Sequence, residues 1–395
     1  MQAILLAAGK STRCYPLTLT TPKPLLKVAN RPLLMYSLDA LVGIVNEVII
    51  VIGYMGDKIR DTIGSSYRGM RIKYFVQKGL KGTGDAMCQV APLINQNFIL
   101  MGGDDLFSRR DIKKLTKHKN CALAAKVEQP KHFGIFRLEG DRILGIDEKP
   151  KNPKHNIANT GCYKFSNKIL KFLPMLKKTK RGELEFVDAI TLFATEENIS
   201  LEIANDWIPI SHSWKLLDAN AAVLSRYPKK IRGKIERGVT IKGELSLGRN
   251  SIVKSGTYIE GNVVIGDNTT IGPNCLIRGS TTIGNDCKVG NACEVKNVIF
   301  MDGTKMGHLS YCADSVLGRN VNFGAGTITA NLRHDNANVK TMLKGELLDS
   351  GRRKFGTIVG DGVHTGIHTS IYPGRKFWPC TFSIPGEAVT RDKNE

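Results

Sequence analysis

Nowhere does the 395-residue chain approach the roughly 20 consecutive apolar residues that a membrane-crossing helix needs, so no membrane partner is expected. Its N-terminus, MQAILLAAGKSTR, lacks the basic leading stretch of a secretory signal and runs into a glycine turn, so it is expected to be mature protein. No two cysteines form a CxxC pair. Cys14, Cys88, Cys121, Cys162, Cys275, Cys287, Cys293, Cys312 and Cys380 are odd in number and scattered, which disfavours a disulfide framework or a zinc site and predicts a reducing cytoplasm. Negative charge is also scarce: 36 acidic residues face 57 basic ones, for a formal charge of +21. Such a balance suits either nucleic acid or polyanionic small substrates. The basic residues are spread along the whole chain without aromatic-interleaved segments, so small anionic substrates are expected and nucleic acid is not.

What is present divides the chain in two, as its length suggests. From Ile235 onward an aliphatic residue recurs every six positions: Ile235, Ile241, Leu247, Val253, Ile259, Ile265, Ile271, Ile277, Ile283, Val289, Val295 and Met301. Glycine often follows, and a small or β-branched residue often sits four positions on, as at Ser251, Thr257, Thr269, Cys275 and Thr281. A period of six fits neither a helix nor a flat strand. It fits a solenoid in which each unit gives one short strand and one corner, three units close a triangular coil, and rungs lie about 4.8 Å apart. Cys275 and Cys293, one coil apart, are then small core residues. The repeat slips near Gly307, resumes at Leu317 and Phe323, breaks after Thr327 and returns at Val359, so residues 329–358 are predicted to project as a loop.

Before the repeat, strand-like runs (Ala3–Leu6, Glu47–Ile52, Phe98–Met101, Ala122–Val127) alternate with helical ones such as Leu33–Leu41 and Asp111–His118. That alternation predicts an α/β fold with a largely parallel sheet. A helical stretch, Trp214–Ser225, precedes the boundary, giving domains at 1–226 and 227–395.

Immediately after the first strand come Ala7, Ala8, Gly9, Lys10, Ser11, Thr12 and Arg13. Small residues let backbone amides approach a polyphosphate, and Lys10 and Arg13 add charge. Alone, such a loop is also compatible with a plain turn. Here Pro22-Lys23-Pro24 follows, and LAAGKSTRCYPLTLTTPKP resembles the sugar-nucleotidyltransferase signature LAAGxGTRxxPLTxxxPKP, with Ser11 replacing a glycine. The resemblance implies a Rossmann-like domain. It also implies that Gln77, Gly82 and Thr83, with the Ala7–Gly9 loop, bind the nucleotide, and that Asp104 holds Mg²⁺. Gly134, Glu148 and Asn159 would bind the sugar, with Arg13 and Lys23 stabilising charge as a sugar 1-phosphate attacks a nucleoside triphosphate and pyrophosphate leaves. The family closes this site with W-x-D-x-G. Here the run is Trp207-Ile208-Pro209-Ile210-Ser211, so Pro209 stands where a metal-binding Asp or Asn is usual. Asp206, three positions from Pro209 on an extended strand, would face away. Either Asp104, phosphates and water hold Mg²⁺ alone, or the first domain only binds nucleotide or sugar and acetyl transfer is the sole chemistry.

In the solenoid, Lys305-Met306-Gly307-His308 interrupts the repeat and exposes a histidine suited to general-base work. The run KMGHLSYCADSVLGRNVNFGAGTITAN resembles the acetyltransferase half of the bifunctional N-acetylglucosamine-1-phosphate uridylyltransferase/glucosamine-1-phosphate acetyltransferase family, archaeal type, and the resemblance extends over most of the chain. It implies a left-handed parallel β-helix and a cytoplasmic homotrimer with acetyl-transfer sites between subunits. The chemistry implied is UDP-GlcNAc biosynthesis from UTP or dTTP, a sugar 1-phosphate and acetyl-CoA. His308 would be the base. Arg278, Lys296, Tyr311 and Asn322 would bind the sugar phosphate, Asn331 would lie near the acetyl group and Ala325 would contact coenzyme A. The basic run Arg352-Arg353-Lys354 is left between a solvated face, the coenzyme phosphates and a neighbouring subunit. Trp378 departs from the small residue usual in the repeat and suits a terminal cap.

Overall fold

A computed structural model describes residues 1–140 and 142–394. The chain is a Rossmann-like α/β domain with a mixed sheet, followed by a left-handed parallel β-helix. By contacts, one compact unit comprises Met1–Lys10, Pro22–Leu25 and Leu33–Pro209, and a second comprises Ser11–Thr21, Leu26–Pro32 and Ile210–Glu395. Among the described residues no helix is long and apolar enough to cross a membrane.

In the first unit, strand Gln2–Ala7 lies between Glu47–Ile52 and Phe98–Gly102, parallel to both. Met70–Val76 extends the parallel set, while Ile157–Phe165 adds an antiparallel border. Both faces of the central strands are covered, and their sequences are correspondingly continuous in apolar residues. Ile4, Ile49, Val51, Phe98 and Leu100 join Phe165, Phe186 and Phe193 on one side. Ala3, Leu5, Ile50 and Ile99 join Leu38, Leu41 and Ile112 on the other. The two-residue alternation thus sorts side chains to opposite cores. Helix Leu33–Leu41 lies where the sequence suggests it, and the second runs over Arg109–Leu115, starting and ending earlier than the expected Asp111–His118.

In the second unit the aliphatic columns stack as the period predicts. Ile241, Ile259, Ile277, Val295 and Cys312 form one ladder, and Val253, Ile271, Val289, Met306 and Phe323 another. The slip lies earlier than the sequence suggests. Ile283 pairs with Phe300, not Met301, and Cys312 is followed five positions later by the inward Leu317. The same corner therefore loses one residue in two successive coils. Phe300 is fully buried in the core, and its side chain alone contributes about 2–3 kcal/mol of burial. Corners repeatedly use Asn or Asp in the left-handed region (Asn250, Asn268, Asp286, Asn297, Asp314), which these residues tolerate best after glycine. That shortened corner is also where the insertion leaves the coil after Thr329. The insertion is more ordered than a plain loop, carrying an antiparallel hairpin of Lys340–Leu343 and Glu346–Asp349. Arg352 is not on a solvated face: its guanidinium pairs with Asp218 on helix Lys215–Leu224, and only 16% of its side chain is exposed. Trp378 is partly buried, and its backbone N–H donates to the Lys393 carbonyl at 2.7 Å.

All nine cysteines are free. Burial pushes the Cys275 thiol up to about 11 and Cys287 to about 12, and the Cys275 thiol meets the Gly290 carbonyl at 2.7 Å. They are small, protonated core residues.

Candidate active sites

The loop after the first strand is built for close approach. Ala7 and Ala8 are buried, and the Ala8 carbonyl accepts the Tyr54 N–H at 2.9 Å. A Cβ at Gly53 would stand 2.9 Å from that carbonyl, so glycine is needed beneath the loop. At Gly9 a Cβ would meet nothing, leaving its amide face open. Lys23 opens a 3-10 turn and is almost buried, yet its ammonium is satisfied: it lies 2.8 Å from Asp104 Oδ2 and 3.9 Å from Asp105 Oδ1. The structure thus brings Lys23 and Asp104 together, while Arg13 belongs to the segment grouped with the second unit.

Gln77 is buried. Its amide N–H₂ donates to Asp85 at 2.7 Å and to the Gly82 carbonyl at 3.3 Å, leaving the amide oxygen as acceptor. Gly82 has φ 101°, and a Cβ there would stand 2.3 Å from the Leu184 carbonyl, so no side chain fits. Thr83 starts the next helix and donates to Glu185 at 3.0 Å. Burial raises the Glu185 carboxyl above the usual range, opposed by that hydroxyl and by Arg181.

The three expected sugar residues converge. Gly134 pairs with Glu148 across an antiparallel ribbon, and a Cβ on Gly134 would lie 3.1 Å from Glu148 Oε2 and 3.7 Å from Asn159 Cβ. Asn159 sits at a bulge where its Oδ1 accepts from the Tyr163 hydroxyl at 2.9 Å and the Gly161 N–H at 3.0 Å, so its amide N–H₂ is directed elsewhere.

Asp206 is not on an extended strand. It lies in a bend whose N–H donates to Asp111 at 3.0 Å. Ile208, however, pairs antiparallel with Leu106, each donating to the other at 3.0–3.1 Å. Asp105, which sequence reasoning overlooked, accepts from Trp207 Nε1 at 3.3 Å.

On the β-helix, Arg278, Lys296 and Ala313 occupy successive rungs, and Glu294 is level with Tyr311. Arg278 is held by Glu294 at 2.6–2.9 Å, and Lys296 lies 4.0 Å from Asp314. Burial, helped by Lys354 and Arg278 nearby, lowers the Lys296 pKa, and burial raises that of Tyr311. Asp314 is nearly buried and is a hub: Asn297 donates to one oxygen at 2.7 Å and Asn331 to the other at 2.6 Å. Its signal in sequence is the 17-residue spacing Asn297, Asp314, Asn331, one shortened coil apart. Glu294 is a further group here that sequence reasoning did not single out, and Lys354, from the basic run 352–354, stands close enough to Lys296 to act on it electrostatically. His308 is exposed at the corner leading to Tyr311, and its carbonyl accepts the Gly326 N–H at 3.3 Å, which puts Ala325 on the next rung. Asn322 is not on the face of Arg278, Lys296 and Tyr311. It pairs with Lys305, in the strand that ends at His308, and with His364. Among the described residues no three His, Cys, Asp or Glu side chains form a metal cluster.

The "Nucleotidyl transferase" family model matches residues 2–226, and the "GMPPB C-terminal domain" model matches residues 259–372. The chain is 37% identical to "Bifunctional protein GlmU" of Methanocaldococcus jannaschii, over 95% of this chain and 91% of that one. It is 36% identical to the "Bifunctional sugar-1-phosphate nucleotidylyltransferase/acetyltransferase" of Sulfurisphaera tokodaii, over 99% and 98%. A crystal structure of a putative glucose-1-phosphate thymidylyltransferase from Bacillus anthracis, in complex with a sucrose, is similar at TM-score 0.52 and 29% identity, covering 56% of this chain and 94% of that one. The chain therefore belongs to the nucleotidyl transferase family and, along almost its whole length, to the family of bifunctional sugar-1-phosphate nucleotidylyltransferase/acetyltransferases.

Proposed function

We propose that the chain carries out both transfers: acetylation of an amino-sugar 1-phosphate by acetyl-CoA, then joining of an N-acetylated sugar 1-phosphate to a nucleotide from UTP or dTTP. In the second reaction a sugar-phosphate oxygen attacks the α-phosphorus and pyrophosphate leaves. Positioning and charge stabilisation carry such a step. The Ala7–Gly9 loop approaches the phosphates, and Lys23 and Arg13 stabilise the charge that develops. Gln77 offers its free amide oxygen to the imino N–H of uracil or thymine, which present the same edge, beside Gly82 and Thr83. Glu148 accepts from sugar hydroxyls and the Asn159 amide donates to them, over the floor that Gly134 keeps open.

The donors fit Mg²⁺. An Asp104 carboxylate with substrate phosphates and water is the oxygen-rich, partly hydrated set that ion prefers, and no all-protein cage is needed. When bound, it would neutralise phosphate charge.

In acetyl transfer His308 takes the proton of the sugar amine, the amine attacks the thioester carbonyl, and coenzyme A leaves as the thiol. Arg278, Lys296 and Tyr311 hold the sugar phosphate. Asn331, oriented by Asp314, donates near the acetyl oxygen, and Ala325 touches the coenzyme. Asn322, on another face, would serve the site of a neighbouring subunit in a homotrimer. Exposed Leu309, Ile328, Ile367, Phe382 and Ile384, each at least 42% accessible, support such an interface. Nine free thiols agree with work in the cytoplasm.

The observation that carries this function is the pairing of two constellations on one chain, Lys23 with Asp104 and Arg278 with Lys296 and Tyr311. Relatives matched along nearly the full length bear bifunctional names, so the binding-only alternative for the first domain is not favoured. The test is pyrophosphate release from UTP and N-acetylglucosamine 1-phosphate with Mg²⁺, alongside thiol release from acetyl-CoA and glucosamine 1-phosphate. Both are expected, and loss of either refutes the corresponding half.

A further inference from the structure

The residue missing at Pro209 has a neighbour that answers for it. Leu106 and Ile208 exchange both backbone hydrogen bonds, so Asp105 and Pro209 form the adjacent pair, whose N–H and C=O groups point away from each other. A proline at 209 therefore costs no ladder bond. Side chains of such a pair lie on one face and close together. Trp207, two residues before Pro209 and so diagonal to Asp105, reaches Asp105 Oδ2 at 3.3 Å, as that geometry allows. Asp104 and Asp105 would point apart on a regular strand, but the strand ends at Gly102 and residues 103–105 bend. Buried Ser37 donates within 3.4–3.5 Å of the carbonyls at both ends of the bend. Both carboxylates then turn to one cation, the Lys23 ammonium, at 2.8 and 3.9 Å.

Resting on the nucleotidyl-transfer reaction proposed above, we infer that Asp105 supplies the second protein carboxylate for the divalent ion, taking over the role that an acidic residue at position 209 would have. The carboxylate would thus come from the other strand of the bridge, at the position cross-strand from 209. A bound ion would take over from Lys23 the neutralisation of the two aspartates. One carboxylate at each of two adjacent positions, plus phosphate oxygens and water, is a complete Mg²⁺ set. Held by Trp207 for structural reasons alone, Asp105 would have no effect on ion affinity.

The test uses the full chain with Mn²⁺ as the probe and UTP present, with Mn²⁺ binding followed by electron paramagnetic resonance or water-proton relaxation. Asp105→Asn is expected to weaken Mn²⁺ binding by more than about tenfold, as loss of metal-site groups commonly does. Adding Pro209→Asp to Asp105→Asn is expected to restore most of that affinity, a rescue that misfolding does not permit. Acetyl transfer by the same proteins reports that the chain is folded. Unchanged Mn²⁺ affinity in Asp105→Asn, with a wild type that releases pyrophosphate, overturns the role of Asp105 and leaves the function standing. A wild type that neither binds Mn²⁺ with UTP nor releases pyrophosphate overturns both.

Discussion

Arg278, Lys296 and Ala313 are neighbours because they are 18 and 17 residues apart, whereas Lys23 and Asp104 meet although they lie 81 positions apart, separated by sheet and helix. In the β-helix a side chain's place follows from counting, so one deletion moves every later residue and a polar ladder such as Asn297–Asp314–Asn331 forms by spacing. In the α/β unit, place follows from topology: strand ends and bends deliver groups from distant segments to one point. The solenoid is therefore sensitive to length and the sandwich to local backbone conformation.

The sharpest way to break the comparison is to remove one chemistry and spare the other. His308→Ala is expected to lower acetyl transfer by about 10²–10⁴-fold, the usual worth of a general base, with pyrophosphate release unchanged. Lys23→Ala is expected to do the reverse, cutting nucleotidyl transfer by about 10²-fold or more while thiol release continues. Within the ladder, Lys296→Ala is expected to raise KM for glucosamine 1-phosphate about tenfold, equivalent to about 1.4 kcal/mol of binding, as read from saturation kinetics.

The smallest expected effect is a pH-dependent one in the α/β unit. Burial raises the folded-state pKa of Glu185, so its contribution to stability is fully present below the ordinary carboxylate pKa and is lost as pH rises through the raised value. Glu185→Gln should therefore raise the melting temperature at pH 7, with the difference from wild type closing below about pH 4. A difference that grows toward acid would contradict the sign.

Much of this was legible in the sequence, for reasons specific to each half. Six-residue columns announce a β-helix because only that fold repeats so. The slip was misplaced because Phe300 and Met301 are adjacent apolar residues, and the columns alone do not say which points inward. The signature loop and the Gly134, Glu148 and Asn159 group were legible as a family resemblance, and the structure adds that the last three share one spot. Asp105 and Asp314 were not. Asp105 matters through a bend and a cross-strand pairing, and Asp314 through a corner conformation, none of which residue type reveals. The face on which Asn322 lies likewise depends on which corner was shortened.

The most direct test of two chemistries on one chain is to incubate the purified protein with glucosamine 1-phosphate, acetyl-CoA, UTP and Mg²⁺ and follow products by mass spectrometry. The account predicts N-acetylglucosamine 1-phosphate as an intermediate and its UDP-linked form as the end product. Accumulation of the acetylated sugar phosphate with no nucleotide sugar would contradict it.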